Sequence, residues 1–95
     1  MITDMIKFTI QDDYIPEAIN LMKDQMIANL DDKGCIISKT FQSKENPADM
    51  YMLLCWEDQE AIDAHLGSAH DQIFRDGLDP ILAGPPEFFE WEELV

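Results

Sequence analysis

A chain of 95 residues holds one hydrophobic core and lacks the length for the second core of a multidomain enzyme. Its 20 Asp and Glu against 6 Lys and Arg leave a formal charge of −14, a field that repels phosphate backbones and anionic headgroups and so argues against nucleic-acid and membrane partners. A hydrophobic share of 46% is too high for a chain kept disordered by charge, so the acid belongs to the surface of one folded domain, residues 1–95.

The first ten residues, MITDMIKFTI, carry Asp4 and Lys7 inside the stretch that a secretory signal would keep apolar, and no run approaches transmembrane length. A cytoplasmic location is the expectation. Cys35 and Cys55 form no CxxC motif and have no second pair, which excludes a zinc ribbon and a disulfide scaffold and leaves them as reduced packing residues.

Residues 5–10 alternate, with Ile6, Phe8 and Ile10 on one side and Met5, Lys7 and Thr9 on the other, which predicts a half-buried strand. Asp12 and Asp13 offer N-cap oxygens and Pro16 suits a first helical turn. The recurrence of Ala18, Ile19, Met22, Met26, Ile27 and Leu30 predicts an amphipathic helix. Asp31 to Gly34 end it, and Cys35 to Phe41 reads as a second strand with Ile36 and Ile37 on opposite faces. SKENPAD, residues 43–49, is turn chemistry.

From Met50, MYMLLCW is apolar for seven consecutive residues, too short for a helix and consistent with a strand covered on both faces. Asp58 can cap a helix over Gln59 to Leu66, Gly67 interrupts it, and Ser68 can cap another containing Ile73, Phe74 and Leu78. The tail EFFEWEELV places Phe89 and Trp91 on one face of a fourth strand, with Phe88, Glu90 and Glu92 on the other. The resulting order, βαββαβ, predicts an α+β ferredoxin-like fold: a four-stranded antiparallel sheet with the helices on one face. Because helices cover only one side, the double cover demanded by the third strand predicts a homodimer through the sheet face.

The four glycines build neither a GxGxxG nor a phosphate loop, and no serine sits in a GxSxG elbow. Paired carboxylates such as Asp31 and Asp32 lie beside element ends, where capping or solvation accounts for them. The histidines, His65 and His70, both fall in AIDAHLGSAH; imidazole exchanges protons near neutral pH. Five residues apart on an unbroken helix they would not share a face, so no metal site is expected unless the break realigns them. His65 follows Ala61 and Ile62 along the sheet-facing side, which points it toward a pocket over the third strand or makes it a core histidine satisfied by a carbonyl or carboxylate. Phe8, Phe41, Trp56 and Phe74, with Leu54, either fill the core or line a pocket for a flat aromatic ligand.

The string WEDQEAIDAHLGSAHDQIF, preceded by GCIISKTFQSKENPADMYMLLC and followed by LAGPPEFFEWE, resembles the antibiotic biosynthesis monooxygenase family across roughly residues 5–93. The resemblance implies a dimeric α+β barrel. In some members it implies oxygenation of quinols or polyketide phenols with no flavin, metal or haem, the substrate supplying the electrons. It makes His65 the base or orienting donor, Trp56 a wall, and His70 and Phe74 further lining. Many relatives carry a glutamate where Leu54 stands, two residues before Trp56, which predicts that His65 lacks an orienting carboxylate. An aromatic residue at the place of His65 and an axial histidine at the place of Arg75 mark the haem-degrading branch, so haem degradation is not expected. The branch acting on a phosphorylated signal needs a basic pocket that six cations do not announce.

Three readings follow. The first is a cofactor-independent monooxygenase of a small, neutral quinol or polyphenol, without metal or cofactor. The second is a small-molecule-binding or isomerising dimer using the same pocket, and the third a structural module with a filled core.

Overall fold

Alternation over the first residues becomes β1 (Ile2–Thr9), which in the computed structural model, describing residues 1–94, starts three residues before the apolar pattern does. Thr3 and Asp4 interrupt that pattern, but each has antiparallel partners on both sides, Cys55 and Trp91 for Thr3, Leu54 and Glu90 for Asp4. Ladder pairing thus extends a strand beyond the reach of its own periodicity. Asp12 and Asp13 do not cap the following helix. They form a 3-10 turn with Tyr14, whose N–H donates to the Gln11 carbonyl at 2.9 Å, and α1 (Ile15–Leu30) opens without a side-chain cap, with Pro16 in its first turn.

The buried side of α1 is Ala18, Met22, Gln25 and Asn29. Ile27 and Leu30, expected on that stripe, are 59% and 51% exposed, because the sheet-facing line runs through two polar residues that an apolar count passes over. Next come β2 (Cys35–Gln42) and β3 (Asp49–Trp56), joined by a turn in which the Asn46 N–H donates to Ser43 Oγ at 3.1 Å. A bulge between Cys35 and Ile37 leaves Ile36 unpaired.

Asp58 accepts from the Ala61 N–H at 2.9 Å to start α2 (Gln59–Leu66), and Ser68 accepts from the Asp71 N–H at 3.3 Å to start α3 (Ala69–Leu78). A 3-10 turn (Asp79–Ile81) leads to β4 (Glu87–Trp91). The sheet order is β2-β3-β1-β4, all antiparallel, which is the ferredoxin-like arrangement. No helix among the described residues is long and apolar enough to cross a membrane.

On the helix side of β3, Met50, Met52, Leu54 and Trp56 pack with Phe8, Met22, Phe74 and Leu78 in one core. Each such side chain, fully buried, contributes roughly 1.5–3 kcal/mol of transfer free energy. The opposite face of β3 carries Tyr51, Leu53 and Cys55, in register with Lys7, Met5 and Thr3. Beyond them β4 sets Phe89 and Trp91, stacked with ring centroids 6.1 Å apart and 39% and 53% exposed. One chain therefore covers one face of its sheet and leaves an apolar surface on the other.

Gly34 closes the turn between α1 and β2. Its φ of +85° is the left-handed region that side chains resist, and a Cβ there would lie 2.6 Å from the Ala61 Cβ. The bare backbone lets this turn press against α2, with the Gly34 carbonyl accepting from the Glu57 N–H at 2.8 Å. That approach delivers Asp32, two residues earlier, to the end of α2.

Candidate active site

The break between α2 and α3 builds the site. Ser68 donates its hydroxyl to the His65 carbonyl at 2.6 Å while capping α3, so the chain turns within Gly67 and Ser68. His65 in the last turn of α2 and His70 in the first turn of α3 then come within 5.4 Å, ring centre to ring centre. An unbroken helix would have separated them.

Both rings converge on Asp32. His65 Nδ1 lies 2.8 Å from Oδ2, and His70 Nε2 lies 2.8 Å from Oδ1 and 2.9 Å from Oδ2. The expectation that Leu54 leaves His65 without an orienting carboxylate is therefore corrected: the turn after α1 provides one from outside the strand. Burial pushes the Asp32 carboxyl up, but the hydrogen bonds from His70 and His65 outweigh it and hold the group below the usual carboxylate range. The same turn holds Cys35, whose thiol is pushed up by burial and then by Asp32 and Cys55, so it does not supply an activated nucleophile.

His65 is 7% exposed, and its ring lies 4.8 Å from the indole of Trp56. With Nδ1 donating to Asp32, the neutral ring keeps its acceptor nitrogen at Nε2. Nε2 faces Asp71 Oδ1 at 3.4 Å, an ion-pair distance without hydrogen-bond geometry. Asp71 is itself buried; Arg75 lies 2.9 Å from its Oδ2 as a Coulombic partner, although that oxygen has no hydrogen-bond donor, and Gln25 Nε2 donates to Oδ1 at 3.4 Å.

Between the sheet and the helices α2 and α3 lies a cavity of about 360 Å³, the size of a small-molecule site. Ile6, Phe8, Leu54, Trp56 and Phe74 make its apolar wall, and His65 and Asp71 join them. Asp71, which neighbours Nε2, lines the cavity, whereas Asp32, which holds Nδ1, does not. Phe8 meets Phe74 edge to face at 5.9 Å. Two expected lining residues are elsewhere. Phe41, 48% exposed at the β2 edge, pairs with Tyr51, because the period of two puts it on the other side from Thr40 and Gln42. His70 is held behind His65 by Asp32 and does not reach the cavity wall.

Asp4 and Glu90 face each other across β1 and β4, and both line the cavity. Burial, and then the Glu90 charge, raise the Asp4 carboxyl above its ordinary value, so the folded state binds this proton more tightly than the unfolded chain. The group's stabilising contribution is present in acid and is lost as pH rises through the raised value. Asp4→Asn is expected to raise stability at neutral pH by roughly 0.2–1 kcal/mol, the worth of a facing like-charge pair. Urea unfolding should show the gain vanish below the ordinary aspartate pKa of about 3.9; an equal gain in acid would refute the electrostatic origin.

Three residues of this constellation are invisible to motif reading. Asp32 resembles helix-end solvation, and Asp71 is one carboxylate among many. Gln25, 3% exposed, has a signal of its own: with Asn29 it puts an amide on the buried stripe of α1 at a spacing of four, and a buried amide calls for a polar partner.

The antibiotic biosynthesis monooxygenase family model matches residues 1–76. Among solved structures, one provisionally assigned as an antibiotic biosynthesis monooxygenase from Nitrosomonas europaea is 16% identical, with all of both chains covered and a TM-score of 0.94. Another antibiotic biosynthesis monooxygenase is 14% identical, again with full coverage of both chains and a TM-score of 0.94. A conserved protein from Methanosarcina mazei Go1 is 27% identical over 97% of this chain and 91% of its own, with a TM-score of 0.90. No curated protein matches the sequence.

Proposed function

Since this chain belongs to the antibiotic biosynthesis monooxygenase family, we propose that it oxygenates a small, neutral hydroquinone or polyphenol without an organic or metal cofactor. The observation that carries the reading is His65, buried against Trp56 in the cavity lining, with Nδ1 fixed by Asp32 and Nε2 facing Asp71, which lines the same cavity.

The cavity receives a flat aromatic ring between Trp56, Phe8 and Phe74. Nε2 takes the phenolic proton, and the imidazolium formed lies between two carboxylates, Asp32 at 2.8 Å and Asp71 at 3.4 Å. The phenolate left in an apolar cavity is the electron source for dioxygen. One oxygen atom joins a ring carbon and the other leaves as water, so that hydroquinone plus O₂ becomes hydroxyquinone plus H₂O, every electron coming from the substrate. The lining carries Asp4, Asp71, Asp79 and Glu90 against one cation, Arg75, a balance that disfavours anionic ligands and agrees with a neutral substrate.

The proposed partner is a second copy, docked through the apolar sheet face that carries Met5, Leu53, Phe89 and Trp91. The proposed location is the cytoplasm, in keeping with the free thiols at Cys35 and Cys55.

Oxygen uptake by the purified chain over a panel of substituted hydroquinones tests the reading. Uptake above the autoxidation rate, with hydroxylated quinone as product, is expected. Ligand-dependent thermal stabilisation with no uptake across the panel would replace it by the binding or isomerising module, for which His65 between two carboxylates also supplies a proton-transfer group.

A further inference from the structure

On the Nδ1 side of His65, Asp32, His65 and His70 offer donor atoms that all lie within 4.8 Å of one another. They come from three elements: the turn after α1, the end of α2 and the start of α3. A tetrahedral zinc-type site, with bonds of about 2.0–2.2 Å, spaces its donors about 3.3 Å apart. The Asp32 oxygens stand 2.8 Å from His65 Nδ1 and from His70 Nε2, so exchanging the bridging protons for a cation requires each pair to open by about half an ångström.

The outer nitrogens are arranged for the same exchange. His70 Nδ1 faces Gln25 Oε1 and His65 Nε2 faces Asp71 Oδ1, both at 3.4 Å. In a neutral ring whose proton is directed at Asp32, each outer nitrogen is an acceptor facing an acceptor. With a cation on the inner nitrogens, each ring's proton moves outward and both oxygens gain a donor, the second-layer pattern that orients metal-binding imidazoles. Asp32 and His70 are 20% and 28% exposed at their side chains, which gives an ion its entry and leaves a coordination position for water.

We propose that Asp32, His65 Nδ1 and His70 Nε2 form a binding site for a divalent first-row transition ion of the zinc type. Two imidazoles and one carboxylate select such ions over calcium and magnesium, which prefer oxygen donors. One consequence rests on the oxygenase reading: an ion at Nδ1 places the ring proton on Nε2, the nitrogen that faces Asp71, and His65 can no longer accept a proton from a phenol. The ion is then a reversible inhibitor that acts from behind the base without entering the substrate cavity.

Titration of the full chain with Co²⁺, followed by its visible d–d absorption and by competition with Zn²⁺, tests the site. Ca²⁺ and Mg²⁺ serve as controls because an acidic surface gathers divalent cations through carboxylates alone. The expected result is one Co²⁺ per chain, displaced by Zn²⁺ and not by excess Ca²⁺ or Mg²⁺. Asp32→Asn and His70→Phe should each weaken binding by about tenfold or more, with circular dichroism verifying that both remain folded. Nitrogen NMR of the imidazoles should report coordination at His65 Nδ1 and His70 Nε2. Displacement by Ca²⁺ or Mg²⁺, or an affinity unchanged in both variants, would overturn the proposal. Oxygen uptake without a Co²⁺ spectrum sinks the metal site alone, and a Co²⁺ spectrum without oxygen uptake sinks only the oxygenase reading and the inhibition built on it.

Discussion

Trp56→Ala is expected to lower the unfolding free energy by about 3–5 kcal/mol, the range for truncating a large buried aromatic. Trp56 is 1% exposed at the end of β3, paired with Ile2 on one side and Cys35 on the other. Its ring supports His65 from the sheet side and forms part of the cavity wall. The space left by the indole would merge with an existing hollow of about 360 Å³, so the surroundings cannot collapse to refill it. For a domain whose total stability lies around 5–15 kcal/mol, the loss is about a fifth of the whole at the least. Urea unfolding followed by far-ultraviolet circular dichroism measures it without relying on the fluorescence of the residue removed. Trp56→Phe, which keeps an aromatic face under the imidazole, should retain much of the stability. A loss below about 1 kcal/mol for the alanine variant would show that the indole is not the structural floor of the site.

His65→Ala is expected to reduce hydroquinone turnover by 10²- to 10⁴-fold, the contribution typical of a positioned acid–base group and worth about 3–5 kcal/mol of barrier. The substitution removes the acceptor at Nε2 and leaves Asp32 and Asp71 without the imidazole between them. Asp32→Asn separates the base from its support: it retains the size of the side chain and an oxygen to hold the ring, but removes the anion facing Nδ1. Because Asp32 is not part of the cavity wall, the asparagine variant should lower kcat by less than His65→Ala and leave KM nearly unchanged. Turnover of His65→Ala within a factor of about two or three of the parent would remove His65 from the chemistry, whatever the fate of the oxygenase reading.

What could be read from the chain before its structure was known divides along a physical line. The bounds of α2, its cap at Asp58, the interruption at Gly67 and the cap at Ser68 depend on residues within four of one another, and the structure reproduces them. The order βαββαβ and the placement of Phe89 and Trp91 on one face follow from short-range period as well. The early start of β1 and the exposure of Ile27 and Leu30 depend on partners far along the chain, to which local pattern is blind. The same holds at the site. His65 and Trp56 stand out by residue type, whereas Asp32 becomes an orienting group only because Gly34 allows its turn to touch Ala61. Leu54 illustrates the converse: the absence of a carboxylate at one position says nothing about a carboxylate arriving at the same imidazole from another element.

The position of β1 in the sheet has a consequence for how the molecule comes into being. β1 is synthesised before either of its partners, since its two ladders need residues 49–56 and 87–91. At about 5–20 residues per second on the ribosome, Ile6 waits several seconds for Met52 and longer for Phe88. Pairings this distant along the chain also close slowly by comparison with helical contacts. For that interval the nascent segment is an unpaired apolar strand, the form most prone to capture by another copy. Residues 1–48 carry 8 Asp and Glu against 5 Lys and Arg, a net −3 out of the final −14, so most of the charge that keeps finished copies apart arrives only with the strands and helices that end the wait.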